Sequence, residues 1–432
     1  MTSLWRGMTN MAQTRDREVV IVKGLGVDLW DRDGNHYLDG TASLWYCNIG
    51  HGRQEVIDAI SKQMRILEAF HTFDVYANEP ALALADKLSS LAPMDDAKVF
   101  FTPGGGSDAV DTAAKMVRRY WSLKGRPDKK IIVSRQHGYH GMNGYGTSLC
   151  GIPPNIEGYN GALIPDVHVV EADSVDVVRD LFEKSAGSIA AFIGEPVIGS
   201  GGVRPPVDGY WPQIAKLCRE YDVLLIADEV ISAFGRLGAW FGCQIYGYEP
   251  DLITCAKGLT SGYLPLGAVI TSGRFAEPFW DDEDAPVFRH GFTYGGHPTA
   301  CAAALANLAI IENEALPDRV ASLKDWYAEL VHRTFDGHLL IGDVRTAGLL
   351  AGIEMDAELL AGDPMLAIRV ANECRTQGLI TRAIGASLQL SPPLTSTKDE
   401  IKSMVQRMAA ACDVVATSLQ PAAARNPADV RR

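Results

Sequence analysis

Val-Leu-Leu-Ile-Ala-Asp-Glu-Val (223–230) and Asp-Leu-Ile-Thr-Cys-Ala-Lys-Gly (251–258) decide the fold. Each is a short apolar run that meets one charged residue, Asp228 or Lys257, at its C-terminal edge. Such runs read as strands buried on both faces, and strands of that kind belong to parallel sheets. In α/β sheets, ligands gather at the carboxyl ends of the strands. An acid and a lysine delivered there together suit pyridoxal phosphate (PLP) chemistry. The lysine forms a Schiff base with the aldehyde, and the carboxylate keeps the pyridine nitrogen protonated so that the ring can withdraw electrons. Either residue alone is also what an ordinary polar strand terminus provides, so the reading depends on what converges with it.

Outward from this pair, the chain from about 80 to 310 alternates helical with strand-like patterns. Lys-Val-Phe-Phe (98–101), Lys-Ile-Ile-Val-Ser (130–134), Ala-Ala-Phe-Ile-Gly (190–194) and Gly-Ala-Val-Ile-Thr (267–271) are further strand candidates. That alternation predicts an α/β fold with a mostly parallel central sheet. Toward the N-terminus, Val-Val-Ile-Val-Lys (19–23) and Gly-Val-Asp-Leu-Trp-Asp (26–31) read as a hairpin around Gly24-Leu25, followed by a turn at 32–35 and a third short run. Beyond residue 316 the pattern changes to a helix, short strands at 349–355, 379–382 and 387–390, and a final helix. Thr397 and Glu400 form a capping box at its start, and Ile401, Met404, Met408, Cys412 and Val415 line one of its faces. The expected division is a large domain over 61–315 and a small α+β domain built from 1–60 and 316–420, with a disordered tail over 421–432.

The whole chain has 432 residues, 47% of them hydrophobic and 22% charged, which is ordinary for a soluble protein. A net charge of −13 argues against nucleic acid or an anionic membrane surface as partner. The eight cysteines include no Cys-x-x-Cys pair, so buried free thiols are expected rather than a metal site or disulfide framework. No histidine has metal-ligand spacing. No apolar stretch reaches membrane-spanning length, and a cytoplasmic location is the expectation.

Four more segments converge on the acid and the lysine. Thr-Pro-Gly-Gly-Gly-Ser-Asp (102–108) follows a strand and opens a helix near Ala109, which suits a phosphate. His-Gly-Tyr-His-Gly (137–141) offers Tyr139 to stack on a flat ring, with His140 beside it. Gly-Glu-Pro-Val (194–197) places Glu195 at a strand end, able to hold a catalytic group or a water. Gly-Phe-Thr-Tyr-Gly-Gly-His-Pro (291–298) is a second glycine-rich turn before a helix. In the small domain, Arg382 is the forked donor that a carboxylate-bearing substrate needs. A nucleotide-binding oxidoreductase would need a Gly-x-Gly-x-x-Gly turn after its first strand, and none is present.

In this order the motifs resemble the class III (omega) aminotransferases of PLP fold type I, over about Val22 to Leu419. The resemblance implies that Lys257 is the Schiff-base lysine and proton shuttle, and that Asp228 pairs with the pyridinium nitrogen. It implies that Val230 packs on the ring face opposite Tyr139. Gly105, Gly106 and Ser107 would bind the phosphate, with Thr293 reaching it from the other subunit of a homodimer or tetramer. Trp45 resembles the aromatic lining the substrate pocket, and Arg382 the mobile arginine that grips a keto acid. Pro-Gly-Gly-Gly-Ser stands where many relatives have Asn-Ser-Gly-Ser, which leaves open which of Gly104, Gly105 and Gly106 meets phosphate. The implied reaction is ping-pong transamination of an amine or omega-amino acid with a keto acid, pyruvate first. The same motifs serve the 7,8-diaminononanoate-forming enzyme (adenosylmethionine-8-amino-7-oxononanoate aminotransferase), ornithine and GABA aminotransferases, and decarboxylase or aminomutase relatives. A regulatory protein on the same scaffold is the reading from another class, and the intact Lys257 and Asp228 argue against it.

Overall fold

A computed structural model describes residues 3–419 except 160 and 186. Its central element is a seven-stranded sheet. In chain order the strands are β1(Ile21–Leu25), β2(Asp28–Asp31), β3(His36–Asp39), β4(Lys98–Thr102), β5(Ile131–Arg135), β6(Val167–Val170), β7(Ile189–Gly194), β8(Leu224–Asp228), β9(Leu252–Cys255), β10(Gly267–Thr271), β11(Ile341–Ala347), β12(Leu350–Met355), β13(Leu379–Ile380), β14(Arg382–Ile384) and β15(Ser387–Leu390). The central order is β4-β10-β9-β8-β7-β5-β6. Only β10 runs antiparallel to its neighbours; the β5–β6, β5–β7, β7–β8 and β8–β9 pairs are parallel.

The alternation of side chains across the pleat explains why these strands are apolar throughout. Leu224, Ile226, Leu252 and Val269 pack on one face against Val110, Ala113 and Val117 of the helix Gly106–Leu123. Leu225, Ala227, Ile253 and Cys255 fill the other face with Trp211 and Phe234. Truncating one such side chain, Ile226→Ala, is expected to cost about 2–5 kcal/mol.

Two smaller sheets flank this core. One joins the two ends of the chain, in the order β1-β2-β3-β13, with β13 parallel to β3. The other is antiparallel, β11-β12-β15-β14. The capping box forms: the Thr397 N–H donates to Glu400 Oε2 at 2.7 Å, and the Glu400 N–H donates to Thr397 Oγ1 at 3.2 Å. All five residues expected to line that helix are buried.

Three boundaries differ from expectation. The hairpin turns at Gly26-Val27 rather than Gly24-Leu25. Gly26 takes a left-handed φ of 60°, whereas Gly24 sits inside β1, where a Cβ would lie 2.9 Å from the His51 ring. The helix expected near Ala109 starts at Gly106. The strand expected over 379–382 is divided: β13 ends at Ile380, and Arg382, just after it, opens β14. Strands β6 and β11 escaped the pattern, because β6 is a short edge strand and β11 carries exposed Gly342 and Asp343 and half-buried Arg345. The expected tail over 421–432 lies outside the described residues.

Candidate active site

Five strand ends, those of β9, β8, β7 and β5 and of β4 beyond the antiparallel β10, meet at one edge of the sheet. Asp228 is the last residue of β8, and Glu195 follows β7 directly. Tyr139 and His140 lie in the loop after β5, Lys257 two residues beyond β9, and Gly105 ends the loop after β4, with Gly106 and Ser107 opening the helix that follows. The parallel topology brings them together, since all these strands run the same way and end at one edge.

Asp228 is fixed from two sides. His140 Nδ1 lies 2.8 Å from Asp228 Oδ2, with both side chains buried, and the Val230 N–H donates to Oδ1 at 3.2 Å. A carboxylate can only accept, so His140 donates from Nδ1. Val230 packs under the glycine loop: a Cβ on Gly106 would sit 2.7 Å from Val230 Cγ1.

The loop of three glycines sorts itself by use. The Gly104 N–H donates to Asp108 Oδ2 at 2.9 Å and is therefore engaged. Gly105 has φ 109° and ψ −145°, a conformation that L side chains avoid. The helix it precedes has no side-chain cap, which leaves the Gly106 and Ser107 N–H groups open for an anion. Ser107 Oγ accepts from the Met142 N–H at 3.2 Å, and Gly141 leaves no room for a Cβ against Ser107. This pins the phosphate-type loop to the one carrying Tyr139.

Lys257 stands in a 3₁₀ turn with φ 46°, Trp45 has φ 62° and His137 φ 65°. Left-handed backbone at non-glycine residues costs about 1–3 kcal/mol each and clusters where side chains must be aimed. Lys257 Nζ lies 5.9 Å from the centroid of the Trp45 ring, and Arg382 Cζ lies 5.8 Å from it. Burial lowers the Lys257 ammonium below its free-lysine value; the Asp228 and Glu195 charges oppose that shift and Arg382 adds to it. Burial also lowers Arg382.

Glu195 is buried, and burial together with the Asp228 charge raises its carboxyl. Its oxygens accept from the Tyr139 N–H at 3.0 Å and the Gly199 N–H at 2.9 Å. This geometry uses the carboxylate to shape the loop under Tyr139. Thr293 stays apart: it is exposed in the turn before the helix Pro298–Asn313, and among the described residues no hydrogen bond or ion pair joins it to the rest.

Two contributors were not singled out in the sequence. Arg135, at the end of β5, is buried between Tyr210 and Trp211 and holds the Glu195 carbonyl. Gln389 is a fully buried amide on β15, directly opposite Arg382. Its signal was a lone polar side chain in the apolar run Ser-Leu-Gln-Leu, meaningful only once the register is known.

The cleft thus offers a desolvated amine, a fixed anion on the far side, an open helix N-terminus for phosphate and a flat apolar wall. These are the groups PLP needs. The class-III aminotransferase family model matches residues 10–412. Putrescine–pyruvate aminotransferase of Pseudomonas aeruginosa is 38% identical over 408 residues, 89% of this chain and 88% of that protein. Diaminobutyrate–2-oxoglutarate transaminase of Halomonas elongata is 39% identical, covering 93% of this chain and 91% of its own. Among solved structures, an (S)-enantioselective omega-transaminase from Thermomicrobium roseum superimposes with TM-score 0.90 at 38% identity, over 95% of this chain and 96% of that one. A PLP-bound amine transaminase from an uncultivated Pseudomonas species gives TM-score 0.91 at 36% identity, over 96% and 99%. The chain belongs to the class III aminotransferases, PLP-dependent transaminases of fold type I.

Proposed function

We propose that this enzyme moves an amino group from an omega-amine or omega-amino acid to pyruvate in two half-reactions. The observation that carries the reading is one cleft with two unlike walls. Lys257, beside Asp228, and the Arg382 guanidinium both approach the Trp45 ring, at 5.9 and 5.8 Å from its centroid. PLP, when bound, supplies an aldehyde for the substrate amine and a cationic ring that withdraws electrons. Lys257 would hold the aldehyde, and its amine would carry the proton at the substrate carbon. Asp228, held by His140, keeps the ring nitrogen protonated. Tyr139 and Val230 would hold the ring, and Gly105, Gly106 and Ser107 would hold the phosphate. We assign Glu195 to positioning Tyr139 rather than to proton transfer. Trp45 gives the substrate an apolar wall, and Arg382 grips the keto-acid carboxylate.

A homodimer completes the site in this reading. Phe70, Phe73, Val75 and Tyr76 are exposed, and the same segment is tied to the turn carrying Thr293: Thr72 Oγ1 donates to the Gly295 carbonyl at 3.0 Å, and Asn78 Nδ2 to the Gly296 carbonyl at 2.9 Å. An apolar face of this kind supports a second copy, with Thr293 serving the partner's phosphate. The parallel β3–β13 pairing supports the small domain of 1–60 and 316–420 beside a large domain of 61–315. Eight buried free thiols support a reducing, cytoplasmic setting. A panel of amines against pyruvate and 2-oxoglutarate tests the substrate. Turnover of monoamines and diamines with pyruvate is expected, and strict use of 2-oxoglutarate would overturn the acceptor. Light scattering tests the dimer.

A further inference from the structure

Gln389 and Arg382 are directly opposed on the antiparallel strands β15 and β14. Opposed residues of an antiparallel pair point to the same face, with Cβ atoms about 5 Å apart. The Gln389 side chain is fully buried. Its Nε2 donates to the Gly199 carbonyl at 3.3 Å. A carbonyl can only accept, so that bond fixes which end of the amide is nitrogen. The other end, Oε1, is a buried acceptor with no partner. Among the described residues, no hydrogen bond or ion pair joins the half-buried Arg382 guanidinium to another group; it lies over the Trp45 face with Tyr139 as an electrostatic neighbour. An unsatisfied acceptor and a set of unsatisfied donors thus share one strand pair. Leaving the buried amide oxygen unpaired is costly.

Gln389 is also anchored to the opposite wall. The Gly199 N–H donates to Glu195 Oε2, so the amide stands on the same backbone that holds Tyr139.

We propose that the Gln389 amide oxygen is the resting acceptor for the Arg382 guanidinium when no carboxylate fills the cleft. Gln389 is then a positioning residue that sets how strongly a keto acid is gripped relative to a plain amine. The neutral amide holds the guanidinium weakly enough for a carboxylate to displace it. An acid at 389 holds it too well, and an apolar side chain does not hold it. The inference rests on the reading of Arg382 as the carboxylate grip.

The test compares Gln389→Glu and Gln389→Met in the PLP-loaded enzyme. Pyruvate binding to the aldehyde form is measured by calorimetry, beside separate KM values for amine and pyruvate. Gln389→Glu should weaken pyruvate binding and raise its KM by roughly 10- to 100-fold, the worth of a charge-assisted bond in competition. Gln389→Met removes the competitor and should tighten pyruvate binding by about threefold or more. The amine KM should move by less than about twofold in both, and both shifts should vanish when Arg382→Ala is added. Opposite signs from one position are not what general damage to the sheet produces. Methionine nearly matches glutamine in volume, so that arm remains informative even if the buried acid unfolds β15. If Arg382→Ala loses pyruvate binding while Gln389→Met binds it as the parent does, this inference is wrong and the reading of Arg382 stands. If Arg382→Ala binds pyruvate normally, both fall together.

Discussion

The two walls of the cleft hold their charges in opposite ways. On the large-sheet side, Asp228 is buried and bonded to His140 and to the Val230 amide. On the small-sheet side, Arg382 lies against an aromatic face without an anion to meet it. A fixed anion is what a reaction needs when the charge it stabilises always develops at the same atom. An unpaired guanidinium is what a site needs when one substrate brings a carboxylate and the other does not. The difference separates chemistry from selectivity, and mutation can break either wall alone.

The largest effect belongs to the chemical wall. Lys257→Ala should lower turnover with every amine by about 10⁴-fold, the upper range of what a positioned proton carrier contributes, with the thermal unfolding midpoint nearly unchanged. Turnover at the parent rate would remove Lys257 from the mechanism. On the selectivity wall, Arg382→Ala should raise the pyruvate KM by roughly 10- to 100-fold while an amine without a carboxylate keeps its KM. Equal losses for both substrates would erase the contrast between the walls.

The lowered Lys257 amine gives a pH test. Its folded value lies below the free-lysine 10.5, so the folded chain binds fewer protons than the unfolded chain between those two values. Stability from this group therefore rises with pH through that window and is lost below it. In coenzyme-free protein, reductive methylation of Lys257 followed by mass spectrometry should reach half its maximal rate below pH 10.5. A midpoint at or above that value would show the amine to be solvated. The smallest effect is a control outside both walls: Thr397→Ala removes one half of the capping box and should cost about 1 kcal/mol in denaturant titration, with both KM values unchanged.

Much of the chemical wall was legible in the chain. Asp228, Lys257 and Glu195 each end an apolar run, and a parallel sheet has only one edge at which such residues collect. The capping box was legible for the same local reason, since its two bonds span three residues. The hairpin turn was misread because a glycine can serve a turn or a close approach, and only the His51 ring beside Gly24 separates the two.

What the sequence determined by itself is periodicity and local chemistry: which segments are strands, which loops can accept an anion, and which charges stand at strand ends. Tertiary structure alone decided the pairings between distant segments. The direct opposition of Arg382 and Gln389, the His140–Asp228 bond across 88 residues, and the engagement of Gly104 by Asp108 all depend on register and backbone angles. Their physical reason is that a residue's pattern reports its own burial, whereas a hydrogen bond needs two groups whose separation in space is set by everything folded between them.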